Sequence, residues 1–75
     1  PNPANSYTTI TLNDTLSNFV ITIYNQYGIL KKTIEVNDAT ISVEINVEEL
    51  TTGLYYVILS KEVPLDFKML SIVRD

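Results

Sequence analysis

Leu50-Thr51-Thr52-Gly53-Leu54-Tyr55-Tyr56-Val57 decides how this chain folds. The two threonines and the glycine mark a turn. Behind them, Leu54 to Leu59 is an unbroken run of aromatic, aliphatic and β-branched residues, the composition of a strand. Alternate residues of a strand share a face, so Tyr55, Val57 and Leu59 stand on one side and Leu54, Tyr56 and Ile58 on the other. Gly53 is expected to take the strained turn angle that glycine tolerates. Tyr55 and Val57 then anchor a central strand.

Working outward, hydrophobicity repeats every second residue nearly everywhere, and no stretch sustains a helical period. The chain has only two glycines and three prolines, which suits strands joined by short turns. Six or seven strands are expected, near 7–12, 18–25, 29–36, 40–47, 54–60 and 66–74, with 1–6 as a possible irregular edge. A two-residue turn at Asn37-Asp38 sets Ile34 opposite Ile41, Lys32 opposite Val43 and Leu30 opposite Ile45. A turn at Tyr27-Gly28 sets Ile21 opposite Ile34 and Phe19 opposite Val36. A type I turn with a glycine bulge competes there, because positive φ is costly for tyrosine. Either way, the expected core face holds Phe19, Ile21, Ile23, Ile34, Val36, Ile41, Val43 and Ile45. The strands at 54–59 and 67–73 are apolar on both faces, and a sandwich buries only one. Part of that surplus is ordinary exposed apolar surface, and part is a candidate docking surface.

The 75 residues set a single domain over 1–75, and one of this size buries only about 60% of its unfolded surface. The chain has neither cysteine nor histidine, which removes disulfides, thiolate zinc sites, the commonest general base and the commonest metal ligand. The net charge of −4 speaks against nucleic-acid binding, which needs a basic face. No apolar run approaches the ~20 residues of a membrane helix. The opening at Pro1 suggests a fragment of a longer protein.

No residue set proposes catalysis. The serines lie in turns or on polar strand faces with no positioned base. Glu48 and Glu49, adjacent in the chain, point apart and read as a solvated turn entry. Asn13-Asp14, Asn37-Asp38 and Glu48-Glu49 are oxygen-rich turns, but their spacing is not that of a calcium loop. Tyr7, Tyr24, Tyr27, Tyr55 and Tyr56 are enough for an aromatic sugar platform, although strand tyrosines are ordinary packing residues. Asn13-Asp14-Thr15 fits the N-glycan acceptor pattern, and Asp14-Thr15-Leu16 looks like a bacterial O-glycan acceptor. No cofactor is expected.

Four motifs occur in order along the chain. Pro1-Asn2-Pro3-Ala4-Asn5 opens it, with prolines that make a rigid, extended entry. Val20-Ile21-Thr22-Ile23-Tyr24-Asn25-Gln26-Tyr27-Gly28 is an apolar strand running into a turn. The Leu50 to Val57 stretch follows, and Phe67-Lys68-Met69-Leu70-Ser71-Ile72-Val73-Arg74 closes the set. Together they resemble the C-terminal sorting domain of proteins exported by the type IX secretion system of Bacteroidetes-type bacteria. The resemblance departs at Asp75, where a basic or apolar end is more usual.

The resemblance implies an all-β fold similar to an immunoglobulin-like β-sandwich of mostly antiparallel strands. It implies a domain that is a ligand and not an enzyme, sitting at the C-terminus of a larger exported protein. The attached cargo passes through the periplasm and is then secreted or held at the cell surface. The secretion machinery recognises the folded domain at the outer membrane, and a sortase-like peptidase then cuts in the linker before it. Lys68, Leu70, Ile72 and Arg74 make a basic–apolar–apolar–basic ladder on one face of the last strand. With Gly53 and Tyr55 they are the candidate recognition residues, docking by strand addition at an edge. A homodimer through edge strands is a further expectation. The rival reading is an immunoglobulin-like or fibronectin-like accessory module, a spacer or sugar binder within an extracellular enzyme or adhesin.

Overall fold

The computed structural model describes residues 6–73. The 1–5 segment, expected as an irregular edge, and Arg74 lie outside the described residues. The six strands are β1 (Tyr7–Leu16), β2 (Phe19–Asn25), β3 (Leu30–Val36), β4 (Thr40–Asn46), β5 (Gly53–Lys61) and β6 (Val63–Ile72). They form two antiparallel sheets, one ordered β1-β4 and the other β3-β2-β5-β6. The chain is thus an all-β sandwich. Its strand order matches the B-E and C′-C-F-G portions of an immunoglobulin-type fold.

Period-2 alternation explains how the sheets close on each other. Phe19, Ile21 and Ile23 of β2 and Tyr55, Val57 and Leu59 of β5 are all buried, and their intervening neighbours are not. Ile10 of β1 and Ile45 of β4 face them from the smaller sheet, with Val47 and Leu50 closing the core beyond β4. Ile34, Val36, Val43 and Leu70 pack around this centre. No polar or charged residue is buried among the described residues, so hydrophobic burial carries the fold.

The β2–β3 hairpin has the expected partners, Ile21 with Ile34 and Phe19 with Val36. Its turn is the bulged form. Gly28 at φ 81° donates its N–H to the Asn25 carbonyl at 3.0 Å, and Asn25 N–H donates to the Ile29 carbonyl at 2.9 Å. Asn25 Oδ1 accepts two more N–H groups, from Tyr27 and Ile29. Lys31 is the extra residue that restores the register, since Tyr24 pairs with Leu30 but Ile23 pairs with Lys32.

The expected hairpin at Asn37-Asp38 does not form. The chain crosses there from one sheet to the other, and β4 pairs with β1. Ile34 and Ile41 are therefore not cross-strand partners. Alternation specifies which face a residue takes but not which strand lies beside it. Ile41 also leaves the expected core, at 51% exposure. It sits where the β1–β4 register shifts between Thr11 and Leu16, so it has no cross-strand partner in β1. Gly53 likewise departs from expectation, because its φ is not positive and it opens β5 as an ordinary strand residue. The described residues with positive φ are Asn18, Gly28 and Glu62.

Candidate recognition surface

The Leu50 to Val57 stretch is a tyrosine corner. Leu50 is buried, and its N–H donates to the Val47 carbonyl at 3.0 Å, tightening the turn out of β4. The chain then reverses into β5. Tyr55 sits near the start of that strand with its ring in the core, and its hydroxyl donates back to the Thr51 carbonyl at 2.8 Å. The bond satisfies a phenol that burial would otherwise leave costly. It also ties the turn between sheets to a central strand, as in immunoglobulin-type domains. Gly53 contributes space here. A Cβ at that position would lie 3.7 Å from Tyr55 Cε1, so a larger side chain would press on the ring.

The apolar strand ending at Tyr24-Asn25 meets this corner at one end of the sandwich. A cleft of about 120 Å³ lies between the turn at 25–27 and the segment at 51–55. Two stretches 24 or more residues apart in the chain thus share one end of the molecule.

Five of the six expected recognition residues come together. Gly53 pairs with Ile72, Tyr55 with Leu70 and Val57 with Lys68, so the set lies on one face of neighbouring strands β5 and β6. That face is the inner one. Tyr55 and Ile72 are buried, Leu70 is half-buried and packed on the core, and Lys68 is exposed at the rim. The sixth residue, Arg74, lies outside the described residues. Lys68 also borders a groove of about 300 Å³ between β1 and β6, lined by Thr9, Ile10, Met69 and Leu70 among others.

The opposite row of β6 was not singled out from the sequence as a recognition site. Phe67 and Met69 are more than half exposed on this row, as are Val63 and Leu65 before them, where Leu65 is a bulged extra residue, since Leu59 pairs with Asp66 but Ser60 pairs with Pro64. Phe67 stacks on Tyr56 of β5, with ring centroids 5.8 Å apart and planes 19° apart. The signal was present in the two-sided apolar character of both strands; the missing information was which side is outward. β6 also forms an edge, pairing with β5 alone among the described residues. Pro64, which cannot donate to a ladder, is compatible with an edge strand.

Electrostatics at the other side are local. Lys32, the one cation on the inner row of β3, reaches Glu49 beyond β4 at 2.6 Å. The Lys32 hydrogen bond, aided by a backbone N–H, holds the Glu49 carboxyl below its usual range. Glu49 is thus the anchor of an inter-sheet tie and not merely a solvated turn residue. Among the described residues, no three acidic groups converge on a point that could hold a metal ion. Asn13, Asp14 and Thr15 are exposed in the irregular half of β1.

The fold and its corner define a small β-sandwich with no polar core. Comparison with protein families places it further: the model for the secretion system C-terminal sorting domain matches residues 1–71, and the chain belongs to that family. It is a sorting-signal domain of type IX secretion, a family not known as catalytic. No curated protein and no solved structure matches the chain.

Proposed function

We propose that this domain carries an attached cargo through the type IX machinery as a folded unit, docking by the β6 edge. The β6 edge, which pairs with β5 alone among the described residues, carries the reading. An unpaired strand offers backbone donors and acceptors to an incoming strand, and alternate side chains supply selectivity. Among the described ladder members Lys68 is the one that solvent reaches, while Leu70 and Ile72, with Tyr55 of β5, hold β6 in place from the core side. In this reading the cargo transits the periplasm, and a sortase-like peptidase then severs it in the linker before the domain.

The test fuses residues 1–75 to a periplasmic reporter in a type IX-competent bacterium. Release of the reporter is expected, with loss of the domain from the released product. Lys68→Glu is expected to reduce release without lowering thermal stability. Normal release of a stably folded Lys68→Glu variant removes Lys68 from the recognised surface. Retention of the wild-type fusion favours a spacer or binding module instead.

A further inference from the structure

The two outer edges of the four-stranded sheet are unlike. β3 carries Lys31, Lys32 and Glu35 within seven residues, the charged character that keeps an edge from pairing. β6 carries only Asp66 and Lys68 as charges, with Phe67 and Met69 exposed beside them; Pro64 and the bulged Leu65 interrupt its ladder at one end, so the regular stretch open to a partner begins at Asp66. At its middle, Phe67 N–H donates to Asp66 Oδ1 at 2.7 Å, a neighbouring carboxylate occupying a donor that a pairing strand would take.

From this edge we infer a homodimer in which β6 pairs antiparallel with β6 of a second copy, about a two-fold axis at Phe67. The sequence of the strand selects that register. A two-fold perpendicular to the sheet sets residues of the same face opposite one another, so the axis must pass through a residue and not between two. An axis at Asp66 puts two carboxylates face to face, and one at Lys68 puts two ammonium groups face to face, both unfavourable. An axis at Phe67 sets Asp66 opposite the second copy's Lys68 and Lys68 opposite its Asp66. It also sets Phe67 against Phe67. Axes farther along the strand shorten the overlap and leave these charges without partners. Asp66, released from the Phe67 N–H, turns to the opposing lysine, and the Phe67 backbone groups turn to each other. The product is a continuous eight-stranded sheet with both small sheets on one side.

Sedimentation velocity on the 75-residue chain, from about 10 µM to about 1 mM, tests the pairing. The expected result is a concentration-dependent dimer. Asp66→Lys and Lys68→Asp alone each raise the dimer dissociation constant at least tenfold, and the double variant Asp66→Lys/Lys68→Asp recovers the wild-type value. Both side chains are exposed, so circular dichroism melts should match among the variants. Hydrogen exchange of the Phe67 amide slows at high concentration in the wild type, which reads the interface without any substitution. A wild-type monomer across the whole range overturns the inference. So do single swaps with no effect, a double variant that does not recover, or Phe67 exchange independent of concentration.

Discussion

The hydroxyl of Tyr55 joins the turn from the smaller sheet to the central strand of the larger one. Tyr55→Phe keeps the ring and removes this bond, so it should cost about 1–2 kcal/mol by urea denaturation, with the fold retained. Gly53 separates two explanations of the same glycine. A strained turn angle would make every substitution costly. Because φ is ordinary and the nearest side-chain atom is 3.7 Å from a Cβ, Gly53→Ala should stay within about 0.5 kcal/mol of wild type, whereas Gly53→Val should lose at least about 1 kcal/mol against the Tyr55 ring. Glu62, at φ 85° between β5 and β6, is where the backbone does hold strain, and Glu62→Gly should raise stability by about 0.5–1 kcal/mol. The sequence announces Tyr55 as an inward strand residue. It does not announce the strain at Glu62, since a Lys-Glu pair between two apolar runs carries no turn signature of its own.

At the scale of elements, alternation made faces legible and left partners open. The inner rows of β2 and β5 follow from spacing alone. The partner of β4 does not, because an apolar row fits any facing apolar row, and Asn37-Asp38 serves a crossover between sheets as well as a hairpin turn. Lys32 shows what the mistaken pairing hid: an apparent polar flaw in an apolar row is the inner-edge cation that meets Glu49. With a folded-state pKa below its ordinary value, Glu49 contributes stability that is present above the unfolded value. That contribution disappears as pH falls through the folded value. Exposure of Glu49 limits it to about 1 kcal/mol or less. Urea midpoints of wild type and Lys32→Met should therefore differ at pH 7, the gap should shrink as pH falls below the ordinary carboxylate range, and added salt should narrow it at pH 7.

For the whole molecule, the small core makes foldedness itself a variable. A domain of this size is stable by about 5 kcal/mol, and its buried residues are few. Ile21 is fully buried and Ile41 is half exposed, although the sequence sets both on one core face. Ile21→Ala should cost about 2–5 kcal/mol and populate unfolded chains at 37 °C, whereas Ile41→Ala should cost less than about 1 kcal/mol. That contrast separates two ways a secretion system can read this signal. If the folded sandwich is the ligand, release of the reporter fusion should fall for Ile21→Ala and stay normal for Ile41→Ala. Lowering the growth temperature, or adding Glu62→Gly, should then restore release of the Ile21→Ala fusion in step with its folded fraction measured by melting. If a linear segment of β6 is read, both variants should export alike at every temperature, because neither substitution touches that strand.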